Sequence, residues 1–91
     1  EFDTELEIEE LKDGSLLIDG LVPIDVLKEK LNVDELPEEF KAGYQTLSGF
    51  IMNQMGKIPK VGQGFEWDGF AFKIVQMDGH RVERVAISKI D

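Results

Sequence analysis

The stretch Phe65-Glu66-Trp67-Asp68-Gly69-Phe70-Ala71-Phe72-Lys73-Ile74-Val75-Gln76-Met77-Asp78-Gly79-His80-Arg81-Val82, running on to Ile90, decides the fold. Asp-Gly occurs in it twice, each time between runs of apolar and polar residues, and this dipeptide tolerates the positive φ angles of tight hairpin turns. Phe65 to Trp67, Phe70 to Met77 and Arg81 to Ile90 are therefore predicted to be three strands of an antiparallel meander. Phe70, Phe72 and Ile74 keep a period of two, but Val75 and Met77 take the other parity, which predicts a bulge or sharp twist near residues 74–75. The last strand changes phase likewise, between Val82 and the pair Val85 and Ile87.

A meander with one apolar face needs a cover, and the preceding residues supply it. Thr46 can cap a helix whose face is marked by Leu47, Phe50, Ile51 and Met55 and which stops at Gly56. Pro23 suits the first turn of an earlier helix, because its missing N–H would be unpaired there, and Ile24, Leu27 and Leu31 follow at helical spacing. Between them, residues 32–45 mix charges with Pro37 and Gly43 and read as a surface loop with room for one helical turn, pinned by Phe40 and Tyr44. Upstream, Leu6 and Ile8 alternate with Glu5, Glu7 and Glu9 as a half-buried strand does; Lys12-Asp13-Gly14 turns the chain, and Ser15 to Ile18 returns. The expectation is an α+β fold, β-β-α-α-β-β-β, with an antiparallel sheet of about five strands and two helices on one face. Residues 1–5 read as a linker or expression remnant and 6–91 as one domain, since 91 residues leave no material for a second core.

Composition narrows the function. The sequence holds no cysteine, which excludes disulfides, thiolate metal sites and cysteine nucleophiles. No apolar run approaches the ~18 to 20 residues needed to cross a bilayer, and no signal-peptide pattern opens the chain. The net charge is −9 and lopsided: residues 1–40 carry 14 acidic and 3 basic side chains, residues 41–91 carry 5 and 7. Nucleic acid and anionic membrane surfaces draw on clustered Lys and Arg, so neither is an expected partner, and direct membrane insertion is not expected.

Candidate chemistry is sparse. His80, the single histidine, falls at a hairpin tip and reads as an exposed turn residue. Ser15, Ser48 and Ser88 stand in no nucleophile-elbow pattern and none lies three residues before a lysine, so no catalytic residue is assigned. Asn32, Asp34, Glu35, Glu38 and Glu39 form the densest acidic group, yet Pro37 sits where a calcium loop needs glycine; they read as a solvated loop, as Glu5, Glu7 and Glu9 read as a solvated strand face, and no metal site is assigned. Gly62-Gln63-Gly64 lacks the third glycine of a dinucleotide fingerprint, Gly56-Lys57 lacks the rest of a P-loop, and both read as turns. Trp67, Phe70 and Phe72 at strand spacing read as core, with a ligand slot as the alternative. No cofactor is expected.

From Asp13 to about Lys89 the order of short motifs resembles the CorC/HlyC transporter-associated domain. The resemblance rests on Asp19-Gly20 with the Pro23 to Leu31 helix, Gln45-Thr46-Leu47-Ser48-Gly49-Phe50-Ile51, Gly56-Lys57-Ile58-Pro59 with Gly62, and Phe72-Lys73-Ile74-Val75 with Asp78-Gly79-His80-Arg81-Val82. It implies a non-catalytic, non-enzymatic module of a haemolysin-like membrane protein, shared in fold with certain FAD-binding enzymes and thought to modulate transport of ions such as magnesium or cobalt. Its implied partners are neighbouring CBS and membrane domains on the cytoplasmic side of the inner membrane, with homodimerisation left open. Exposed residues of the meander and of the Asp34 to Tyr44 loop are the expected contacts. A sensor for a nucleotide, flavin or divalent cation, using the aromatic strand face and the glycine loop, is the alternative.

Overall fold

A computed structural model describes residues 8–90. The elements are β1 (Ile8–Glu10), β2 (Leu16–Asp19), α1 (Ile24–Leu31), α2 (Glu39–Ala42), α3 (Leu47–Met55), β3 (Gly64–Trp67), β4 (Phe70–Asp78) and β5 (Arg81–Lys89). The five strands form one sheet in the order β1-β2-β5-β4-β3, with every neighbour antiparallel. The expected α+β architecture is therefore present, and the one helical turn allowed in the 32–45 loop is α2. Leu6 and the 1–5 segment lie outside the described residues.

The ladder sorts the side chains into two faces. Ile18 pairs with Val85 and Val85 with Ile74; Leu16 pairs with Ile87, Ile87 with Phe72 and Phe72 with Phe65. These rows face the helices and join Leu27 and Leu31 of α1, Leu47, Phe50 and Ile51 of α3, and the loop residues Val22 and Leu36 in one core. Glu9, Leu17, Ala86 and Lys73 form a row on the opposite face, which no described element covers.

The expected bulge is present and is double. Ile74 pairs with Val85, Gln76 with Arg84 and Met77 with Val82, so Val75 is the extra residue on β4 and Glu83 the extra residue on β5. Both strands change parity together, which keeps Ile74, Met77, Val82 and Val85 on the covered side. On its other side the bulged stretch of β5 bonds the chain beyond β2 and α3. The Glu83 carbonyl accepts from the Gly20 N–H at 2.8 Å, and the Val82 N–H donates to the buried Ser48 Oγ at 3.1 Å.

That arrangement seats α3. Its first three N–H groups, which cannot be paired within the helix, donate to the Val22 carbonyl, the Gly20 carbonyl and Thr46 Oγ1, and the Phe50 N–H makes the first helical bond, to the Thr46 carbonyl. Thr46 is thus the N-cap anticipated from the sequence, and Gly56 in the left-handed region ends the helix. Pro23 stands just before α1 in an extended conformation, as its N-cap rather than within its first turn. Gly20 packs so closely on β5 that a Cβ there would lie 1.9 Å from the Val82 oxygen.

The pinning of residues 32–45 differs from expectation at one position. Tyr44 packs on Phe50 with ring centroids 5.5 Å apart, but Phe40 is 80% exposed. Leu36, 1% exposed, takes the place in the core. Gly49 makes room for the loop, since a Cβ there would meet Tyr44 Cβ at 3.0 Å.

Candidate functional site

The acidic loop divides into inward and outward parts. Glu39 turns in: one oxygen accepts from Lys28 Nζ at 2.7 Å and the other from the Leu36 N–H at 3.1 Å. The Lys28 hydrogen bond, then the Leu36 amide, hold the Glu39 carboxyl below its ordinary range, and the same bond holds the Lys28 ammonium above its own. Tyr44 donates to the Pro37 carbonyl. Burial, reinforced by Glu39 and Glu38, pushes its hydroxyl up to about 12. Asp34, Glu35 and Glu38 face solvent, with Glu38 accepting from Asn53 at 3.3 Å. Among the described residues no group of three or more carboxylate or imidazole side chains is placed to hold a metal ion.

This knot fixes the backbone on which Phe40 stands. Glu38 is held at φ 57°, a left-handed value uncommon outside glycine, directly before α2. An ion pair, a tyrosine hydrogen bond and a buried leucine therefore combine to present an aromatic side chain to solvent from a short, constrained turn.

The other sequence candidates are dispersed. His80 is exposed in the β4–β5 turn, beside an Arg81–Asp78 ion pair of 2.8 Å. Ser15 donates to Asp13 Oδ1 through both its hydroxyl, at 2.6 Å, and its N–H, at 2.9 Å, which holds the Asp13 carboxyl below its usual range. Ser48 serves the β5 bulge, and Ser88 is exposed. No hydrogen bond joins any of these serines to His80 among the described residues.

Both parts of the anticipated sensor pocket are filled. Phe50 inserts against Phe65, Trp67 and Phe72, with centroids at 5.9, 5.9 and 5.8 Å, and Phe65 stacks on Phe72 at 4.8 Å. Phe50 and Phe72 are therefore core, and Phe65 and Trp67 pack half-buried against them. In the glycine loop the Gly62 N–H donates to the Ile74 carbonyl and the Gln63 N–H to the Lys60 carbonyl, so these amides are turned to the protein rather than to a phosphate. A Cβ on Gly64 would lie 2.0 Å from the Phe72 oxygen, which makes that glycine a strand-packing residue.

A cleft of about 210 Å³ lies elsewhere, between the β1–β2 turn, the last turn of α1 and the ends of β4 and β5. Leu16, Leu31, Phe70 and Ile87 line it, and Glu10, Lys30 and Lys89 stand at its edge. The ladder sets Glu10 opposite Leu16 and Lys89 opposite Phe70, on the core side of the sheet. Charges at two positions whose parity calls for apolar residues were the signal available in the sequence.

The comparisons with known proteins agree with one another. The transporter associated domain family, CorC/HlyC, matches residues 9–91. A UPF0053 protein of Synechocystis is 40% identical over 86 residues, covering 94% of this chain and 19% of that protein. The polyamine export protein of Escherichia coli K12 is 35% identical over 79 residues, covering 87% and 17%. The chain thus spans under a fifth of the length of these curated relatives. Among solved structures, a CorC/HlyC domain from Nitrosomonas europaea superposes with a TM-score of 0.83 at 30% identity, covering 94% of this chain and 99% of that one. The domain of a Xylella fastidiosa hemolysin superposes at 0.80 with 34% identity, covering 98% and 100%. A second structure of the Xylella domain is of its complex with Mg²⁺ and Mn²⁺. Matching motifs, a matching fold and a family match over nearly the whole length establish that this chain belongs to the CorC/HlyC transporter associated domain family.

Proposed function

We propose that the domain is a non-catalytic regulatory and interaction module of a membrane exporter of cations, on the cytoplasmic side of the inner membrane, working through contacts with neighbouring CBS and membrane domains. The polyamine export protein among the relatives exports polycations, and the family resemblance implies magnesium or cobalt; positive charge is the property these cargoes share. The observation that carries the reading is Phe40. An aromatic side chain 80% exposed on a constrained turn has the character of an interface anchor, because ordering it on binding costs little entropy. Asp34, Glu35 and Glu38 beside it in sequence favour a basic partner, and cytoplasmic loops of membrane proteins are enriched in Lys and Arg.

The test is made in a full-length exporter carrying this domain. Phe40→Ala is expected to change cation export into everted vesicles by at least about threefold, and Phe40→Leu by less, because interface aromatics contribute through buried apolar area. The melting temperature of the domain should not move with either variant. Export indistinguishable from the parent in Phe40→Ala would remove Phe40 as the contact and the support it gives this reading.

A further inference from the structure

The open end of the helix-covered sheet face has a composition that core packing does not require. α1 has eight residues and so runs only about 12 Å. It ends at Leu31, where Asn32 in the left-handed conformation turns the chain away, and the sheet beyond it is open at the half-buried Leu16, with Phe70 and Ile87 buried beneath. The cleft left there has an apolar floor of Leu16, Phe70 and Ile87 and an apolar wall in Leu31. At about 210 Å³ it is smaller than the roughly 300 to 1,000 Å³ of pockets that take drug-sized ligands.

Among the described residues its lining carries two ammonium groups against one carboxylate, on a chain of net charge −9. Neither Lys30 nor Lys89 enters an ion pair among the described residues. Glu10 has a sufficient role as an inward-pointing charge that blunts an edge strand. Lys89 has no such role, since β5 lies between β2 and β4. Its aliphatic stem can lie along the apolar floor while its ammonium stays at the mouth.

We infer that this cleft binds a small amphipathic anion, a carboxylate on a short aliphatic or aromatic body, with the carboxylate held by Lys30 and Lys89 and the body laid on Leu16, Leu31, Phe70 and Ile87. The lysines account for the charge selected and the floor for the apolar body. Inorganic anions lack the second feature and neutral alcohols the first. The inference does not rest on the Phe40 contact, which belongs to a different part of the surface.

The experiment uses the 91-residue chain itself, because solved domains coextensive with it fold alone. Methyl carbon-13 spectra of Leu16, Leu31 and Ile87 are followed while hexanoate, hexanol or inorganic phosphate is added. Hexanoate is expected to shift these methyls saturably. Lys30→Gln combined with Lys89→Gln should raise the half-saturation concentration about tenfold or more, equivalent to about 1.4 kcal/mol, without lowering the melting temperature. Hexanol and phosphate should each bind about tenfold more weakly than hexanoate. Three results would overturn the assignment: no saturable shift by about 20 mM hexanoate, equal affinity in the double variant, or phosphate matching hexanoate.

Discussion

Gly20→Ala is the sharpest probe of how α3 is seated. The new Cβ would stand 1.9 Å from the Val82 oxygen and 2.9 Å from its carbonyl carbon, so β5 or the 20–24 segment must retreat by about 1.1 Å to reach even a 3.0 Å contact. Backbone atoms cannot rotate away as a flexible side chain would. The displacement acts on three hydrogen bonds at once: Gly20 N–H to the Glu83 carbonyl and Ser48 N–H to the Gly20 carbonyl, both 2.8 Å, and Val82 N–H to Ser48 Oγ at 3.1 Å. At about 0.5 to 1.5 kcal/mol each, and more where a buried donor is left unpaired, the loss is about 2 to 4 kcal/mol. A chain of this length has roughly 5 to 14 kcal/mol in all. A fall in melting temperature of about 10 °C or more follows, read by circular dichroism, with a matching drop in urea midpoint. Gly56→Ala is the control, because that residue has φ 69° but a methyl placed on it would meet no atom within 4 Å, and its cost is confined to the left-handed backbone, about 1 to 2 kcal/mol. If Gly20→Ala loses less than about 1 kcal/mol, close packing of Gly20 on the β5 bulge is not what holds α3 in place.

Ser48→Ala leaves the buried Val82 N–H without its acceptor and should cost about 1 to 3 kcal/mol by urea denaturation, with faster amide exchange at Val82. Leu36→Ala opens a cavity under the acidic loop and is expected to lose about 2 to 5 kcal/mol, whereas Phe40→Ala stays within about 0.5 kcal/mol; reversal of that order in thermal melts would contradict the exchange of roles described for these two residues. Tyr44 and Lys28 both hold their protons more tightly when folded, so the stability they contribute is full below their ordinary values of 10.0 and 10.5 and is lost as pH rises, for Tyr44 through about 12. Urea midpoints measured from neutral pH upward should fall over that window, and Tyr44→Phe should flatten part of the fall. Glu39 has the opposite sign: its contribution is present above its ordinary 4.5 and is lost as pH falls through its lower folded value, so Glu39→Gln should reduce the acid-side slope.

Much of the fold was legible because its signals are local. Two Asp-Gly turns, the parity change near Val75, the Thr46 cap and the Gly56 stop each depend on neighbours within a few residues, and each appears where the pattern placed it. Strand order was not legible, because the contact between β2 and β5 joins residues nearly seventy positions apart and any strand with one apolar face could have met it. Phe40 was misread since an aromatic residue in a loop ordinarily anchors it; the anchoring is done by Leu36 and by the Lys28–Glu39 pair, whose partners lie in different elements. Ser48 shows the same limit. A serine at the second position of a helix looks unremarkable until the donor it serves is seen to lie 34 residues later, on the bulged stretch of β5. The candidate cleft left only a trace, two charged residues in phase with the core, and Lys30 joins them through α1 alone.

The two bulges also constrain how the β4–β5 hairpin can vary in length. One supernumerary residue on each strand cancels the other, so the pairs on both sides of the irregularity, Ile74 with Val85 and Met77 with Val82, belong to a single alignment. Deleting Val75 alone, or Glu83 alone, leaves the two arms a step out of frame and drives the apolar residues of one of them toward water. Deleting both restores an unbroken ladder but removes the irregularity beside Val82, whose amide bonds Ser48. Changes of length at this irregularity therefore keep both arms in frame only as matched pairs, and a matched deletion of Val75 and Glu83 alters the geometry of β5 next to where Gly20 packs on it.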